Sequence, residues 1–137
     1  MVDLVNSMFI ASSGMRAQSD RLRIVAQNIA NVDTTAGNPN DLPYARKVVS
    51  FENELDRELD ADVVKVSDYG VDKTPFPRKY DPSHPAADQA GYVQMPNVNM
   101  MIEMVDMREA RRAYEANINI VEVSKNLLLQ TINILKS

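Results

Sequence analysis

The chain has 137 residues, a formal net charge of −4, ordinary apolar and charged fractions and no cysteine. That length allows one modest core and not two large domains. The composition argues against wholesale disorder, the charge against a general nucleic-acid binder, and the missing cysteine excludes disulfides, thiolate metal sites and thiol nucleophiles. No apolar run approaches the ~20 residues that cross a bilayer. Asn6 and Ser7 interrupt the apolar start before the first basic residue, Arg16, so no cleavable signal peptide is expected.

Residue types divide the chain in three. All seven prolines and three of the four glycines lie between Gly37 and Pro96. Basic and acidic residues number 3 and 3 over 1–33, 7 and 11 over 34–97, and 5 and 5 over 98–137, so the whole net charge sits in the middle. Neutral ends can pack densely on copies of themselves, whereas a charged middle suits contact with water.

Over 1–33, Met1, Met8, Met15, Leu22 and Ile29 recur every seven residues, with Leu4, Ala11, Gln18, Val25 and Val32 between them. Only Gln18 is polar, which predicts a helix with a coiled-coil-like seam. Ser12, Ser13 and Gly14 lower helix propensity in mid-run. They give either a slightly weak helix or a place where another backbone approaches closely. The helix should end near Asp33.

The 34–97 segment opens with a loop over Thr34–Pro43. Residues 44–53 and 60–70 predict two short strands around Val48, Phe51, Val63, Val64 and Val66. The connecting NELDRELD reads equally as a short helix or an extended link. Residues 73–98 are proline-rich and irregular. Six of the eight aromatics fall in this segment and could form a small local core or pack against the helices.

After Pro96 there is neither proline nor glycine through Ser137. This predicts one helix of roughly 40 residues, about 60 Å long, capped by Asn97 or Asn99. A compact ball of this chain length is only about 35–40 Å across, so the molecule should be elongated. The helix carries two apolar stripes. The first (Ala113, Ala116, Ile120, Val123, Leu127, Ile134) is expected to pack on Met8, Met15, Leu22, Val25 and Ile29 of the same subunit. The second (Tyr114, Ile118, Val121, Leu128, Ile132, Leu135) is expected to meet neighbouring subunits. The fold class is therefore mainly α: paired elongated terminal helices with a small irregular, β-containing middle.

No catalytic constellation emerges. The single histidine, His84, could be drawn with Asp81 and Asp88 as a metal trio, but no fourth ligand is evident, and a structural loop is expected. Glu103, Asp106 and Glu109 suggest a di-iron bundle until the Glu-x-x-His pairs it needs are found missing. They are expected on a solvated face or in ion pairs between subunits. Arg108, Arg111 and Arg112 are balanced by neighbouring acids, no glycine-rich phosphate loop is present, and the methionines between Met95 and Met107 read as an adaptable packing surface. Neither cofactor, metal, small-molecule substrate nor nucleic acid is expected.

SSGMRAQSDRLRIVAQNIANVDTT, containing Ser13, Gly14, Met15, Ala17, Gln18, Asn28, Ile29, Ala30 and Asn31, resembles the signature of bacterial flagellar axial proteins: rod, hook and hook-associated subunits. EMVDMREARRAYEANINIVEVSKNLLLQTINI, with Glu103, Met104, Tyr114 and Asn117, resembles their matching C-terminal signature. YDPSHPAADQAGYVQMPNVN, with Gly91, Tyr92, Val93, Pro96 and Asn97, narrows the resemblance to proximal-rod subunits. One departure is Ala45, which separates Tyr44 from Arg46 where the family runs more tightly into its Pro-Tyr-Arg pattern. The resemblance implies a structural subunit whose terminal helices form the assembly domain and whose middle faces outward. It also implies passage through the flagellar type III export apparatus, assembly in the periplasm with its own copies and other rod proteins, torque transmission, and no catalysis. A rival reading is a soluble helical adaptor or export chaperone that holds a partner's helix in a groove.

Overall fold

The computed structural model describes residues 2–57 and 59–136. Met1, the first position of the heptad series, Glu58, in the connector, and Ser137, at the chain end, lie outside the described residues. The order of elements is α1 (Val2–Ala30), β1 (Lys47–Asp56), β2 (Ala61–Val71), β3 (Arg78–Tyr80), β4 (Tyr92–Gln94) and α2 (Met100–Lys136). Among the described residues helix makes up 49% and strand 20%: two terminal helices flank a β-containing middle, as expected, and that middle is built of strands.

Helix α1 runs straight through Ser12–Gly14 and stops at Ala30, three residues short of the expected end. Beyond it Asn31 N–H donates to the Gln27 and Asn28 carbonyls, and Thr34 N–H to that of Asn31, so the chain leaves through a tight turn. Helix α2 starts where the cap dictates. The Asn99 side chain accepts from the N–H groups of Met101 (3.0 Å) and Ile102 (3.4 Å), satisfying donors that a helix leaves open at its first turn. At 37 residues α2 is about 55 Å long.

The two helices lie antiparallel. Asn28 touches Glu103, and Gly14, about four turns back along α1, touches Asn117, about four turns forward along α2. Small side chains allow this approach. The buried apolar residues of α1 include Ala11 and Ala17, and those of α2 are limited to Ala110, with Ser124 and Glu103 as its other buried residues.

β1 and β2 form an antiparallel hairpin, with a bulge at Ser67, since Ser50 pairs with Asp68 and Phe51 with Val66. Of the ambiguous connector, residues 53–56 are extended as the end of β1, and Arg57, Leu59 and Asp60 lie in the turn, Asp60 at a φ of 47°. The hairpin lies along α1. Its tip accepts from Asn6 at the Leu59 carbonyl (3.1 Å). Val64 N–H donates to the Ser13 hydroxyl (3.3 Å). Arg23 stands over the Tyr69 ring at 6.0 Å, and Asn28 holds the base of β1 at Lys47.

β3 and β4 close the 81–91 loop. Tyr80 and Tyr92 pack edge to face at 5.3 Å, and the Asp88 carboxylate accepts from the Ala90 and Tyr92 N–H groups at 2.9 Å each. Gly91 sits at φ +82°, and a β-carbon there would meet Tyr80 Cε2 at 2.9 Å and Pro82 Cβ at 3.1 Å. Both backbone and space demand glycine.

Candidate assembly surface and its polar anchor

Five segments converge on one polar cluster between the helices. Asn28 comes from α1, Tyr44 and Arg46 from the extended run into β1, Asp72 and Asn97 from the loops after β2 and before α2, and Glu103 from the first turn of α2. In an extended chain, side chains two apart share a side. Ala45 is therefore the spacer that sends Tyr44 and Arg46 to the same place.

Asn28 is 1% exposed, and its amide makes all four hydrogen bonds available to it. Nδ2 donates to the Lys47 carbonyl (2.8 Å) and to Glu103 Oε2 (3.0 Å). Oδ1 accepts from the Tyr44 hydroxyl (2.8 Å) and Lys47 N–H (2.9 Å). Glu103 is fully buried, and its Oε1 accepts from Arg46 Nε. The Arg46 guanidinium also reaches Asp72 and Asp106, at 3.5 Å each. Asn97 ties the far side: it accepts from Arg46 N–H (2.7 Å) and donates to the Asp72 and Thr74 carbonyls.

Burial, charge and hydrogen bonding shift three groups of this cluster. Burial by itself would lower the Arg46 pKa, but the hydrogen bond and charge of Glu103, joined by Asp72 and Asp106, outweigh it and raise it. Burial first, and then the Glu103 charge, raise the Tyr44 phenol, which keeps it a donor to Asn28. Hydrogen bonds from the Thr74 hydroxyl and N–H hold the Asp72 carboxyl below its ordinary value against some desolvation, with help from Arg46.

This corrects the reading of the helix carboxylates. Glu103 is not on a solvated face, because Arg46 and Asn28 satisfy it inside the chain. Asp106 pairs with Arg21 (3.3 Å) and Arg46, and Glu109, 66% exposed, reaches Arg21 at 3.5 Å. No group of three His, Asp or Glu side chains among the described residues is placed to hold a metal. His84 Nδ1 accepts from Ala86 N–H (3.0 Å), so in the neutral ring Nε2 carries the hydrogen and donates to Thr35 Oγ1 at 3.1 Å.

The two stripes of α2 divide differently from the expectation. Ile120, Leu127 and Ile134, expected to face α1, are 46%, 45% and 73% exposed, and Ala113 is half-buried. The side turned to α1 is marked by Ala110, Asn117 and Ser124. Tyr114, Val121 and Leu128 stand four residues beyond each of these on the same face and are half-buried, as is Ile132. From that stripe Ile118 and Leu135 are exposed. The reason is steric. α1 offers Ala11, Gly14 and Ala17, and the small and polar face of α2 can come closer to these than its most apolar face can. On α1, Val25 is buried, while Met8, Met15, Leu22 and Ile29 are half-buried. Of the motif residues, Ala17, Gly91, Val93 and Pro96 are buried with Asn28 and Glu103, Asn31 caps back onto the Gln27 carbonyl (2.8 Å), and Ala30, Tyr92 and Met104 are exposed. No described helix is long and apolar enough to cross a membrane.

Residues 8–37 match the family of flagella basal body rod proteins, and residues 89–134 the C-terminal region of flagellar basal body rod FlgEFG proteins. Over 128 residues the chain is 50% identical to the flagellar basal-body rod protein FlgC of Agrobacterium fabrum, covering 93% of this chain and 92% of that one. The chain belongs to the FlgC family of flagellar rod proteins. FlgC of an Escherichia coli O6:H1 strain is 38% identical over 96% of this chain and 97% of its own. FlgC of Borreliella burgdorferi is 37% identical over 97% and 98%. As a member of the FlgC family this protein is a structural subunit of the flagellar basal-body rod and not an enzyme. Asn28 and Gly14 lie within the first matched region, and Glu103 and Asn117 within the second, so the two matched regions meet at the helix pair.

Proposed function

We propose that this rod subunit assembles through the exposed apolar stripe of α2, with Val105, Ile120, Val123, Leu127 and Ile134 at its centre. The observation that carries this reading is their exposure, between 45% and 73%, along one side of a helix whose other side is taken by α1. Covering each half-exposed side chain is worth roughly 1 kcal/mol, enough in sum to hold a neighbour. The occupants are copies of the chain and other rod proteins, which present helices of the same family. Within the subunit the seven-residue layers of the seam support coiled-coil-like packing of the 1–33 and 98–137 segments. The 34–97 segment, which holds all the net charge, is the part turned away from the assembly core.

The resemblance to rod subunits supports export through the flagellar type III apparatus, assembly in the periplasm, and transmission of torque along the rod. Leu127→Asp tests the docking face. It should leave secretion of the subunit and its helicity intact while abolishing basal-body rods and motility. Motile cells carrying Leu127→Asp would remove this stripe from the interface.

A further inference from the structure

The seam between α1 and α2 does not, by shape, dictate its own alignment. Its layers repeat every seven residues: Gly14 lies opposite Asn117, and by the same alignment Arg21 faces Ala110 and Ser7 faces Ser124. Sliding one helix by seven residues, about 10 Å, sets Gly14 opposite Ser124, Arg21 opposite Asn117 and Ser7 opposite Thr131. Sliding the other way sets Gly14 opposite Ala110, Arg21 opposite Glu103 and Ser7 opposite Asn117. Every one of these layers joins small or polar side chains, so the residue pattern alone does not single out one of them.

One layer cannot be exchanged. Asn28 meets Glu103, and either slide parts them, taking one bond from a saturated amide and leaving a fully buried carboxylate without its amide donor. The Arg46–Lys47 dipeptide clamps both sides of this layer. Lys47 bonds Asn28 through both its N–H and its carbonyl, while Arg46 bonds Glu103 by its side chain and Asn97, just before α2, by its N–H.

We propose that Asn28, Glu103 and Arg46 are positioning residues for the assembly surface: together they lock α1 and α2 into one of several seven-residue alignments. A buried polar layer in an apolar seam acts by selecting register, at some expense in stability. The alignment fixes how far α2 runs on past the start of α1, and so where the α2 stripe stands relative to the hairpin. The lock uses contacts within one chain only, so it stands or falls separately from the docking face proposed above.

The chain has no cysteine, so engineered pairs report alignment directly. In the purified full-length protein, Ser7→Cys is combined in turn with Ser124→Cys, Thr131→Cys or Asn117→Cys, and oxidative coupling within the monomer is measured beside helicity by circular dichroism. The Ser7/Ser124 pair should couple at least about tenfold more than either slipped pair. In the Asn28→Leu/Glu103→Leu background, which leaves Arg46 its other two carboxylates, helicity should persist and that selectivity should be lost. Asn28→Leu alone, which keeps the Arg46–Glu103 pair, should lose it in part. Three results overturn the proposal. One is no preference for Ser7/Ser124 in the parent. Another is undiminished preference in helical variants. The third is loss of helicity in both variants, which would make the cluster a support of the pair and not a selector of its alignment.

Discussion

A β-carbon on Gly14 would lie 2.8 Å from the Asn117 amide nitrogen, so the two helices approach at this pair about as closely as glycine permits. Alanine at position 14 would gain about 1 kcal/mol in helix propensity but crowd that amide. Gly14→Ala should therefore be close to neutral, because the Asn117 side chain can turn aside. Combined with Asn117→Ala the gain should emerge as a higher thermal midpoint. Gly14→Leu, with no such escape, should destabilise the pair by about 1–3 kcal/mol in denaturant melts.

Removing the Arg46 charge strands Glu103. Arg46→Met should lower stability by roughly 3–5 kcal/mol, the usual consequence of leaving a buried charge alone. Adding Glu103→Leu to it should restore much of the loss. Urea unfolding followed by circular dichroism measures both.

Gln18 is the polar exception in the apolar seam of α1, and its Oε1 is buried with no donor among the described residues. Gln18→Leu removes an unsatisfied acceptor and completes the apolar series. It should stabilise the protein by about 1 kcal/mol, seen as a raised urea midpoint with an unchanged slope.

The cluster also sets the pH limits. Asp72 has its folded pKa lowered, chiefly by Thr74. Its contribution is present above the ordinary carboxylate pKa of ~3.9 and is lost as pH falls through the lower folded value. Tyr44 has its folded pKa raised by burial and by Glu103. Its contribution is complete below the ordinary phenol pKa of ~10 and is lost as pH rises through the higher folded value. Carbon-detected titration should place the Asp72 midpoint below the normal range, and Thr74→Val should move it up. Tyr44→Phe should remove its part of the alkaline loss of stability, read from thermal melts above pH 10.

Gly91→Ala should lower the thermal midpoint and speed amide exchange in β3 and β4. A side chain at φ +82° is strained by about 1 kcal/mol or more, and this one also meets Tyr80 and Pro82.

The terminal helices could be read from the sequence because nothing in them breaks a helix and because Asn99 stands where a cap belongs. The pairing face of α2 could not. Hydrophobicity favoured Ile120, Leu127 and Ile134, but close approach is decided by the smallest residues, and these lie on the Ala110–Asn117–Ser124 side. Glu103 looked like any surface carboxylate because its partner, Arg46, is remote along the chain. The available hint was Tyr44-Ala45-Arg46, whose alternation aims two polar side chains at one target. The length of the hairpin was hidden by NELDRELD, whose composition suits a helix as well as a solvated strand.

Ser13 and Gly14 are neighbours in sequence, yet one holds β2 and the other admits α2. Adjacent helical residues point about 100° apart, so the hairpin and α2 flank α1 on two nearly perpendicular sides. A pair of rods is stiff in the plane that contains them and compliant across it. A third member set at a right angle gives an L-shaped section, which resists bending in both directions. With the hairpin fastened near both ends, at Asn6 and Asn28, this part of the subunit has the geometry of an angle-iron strut.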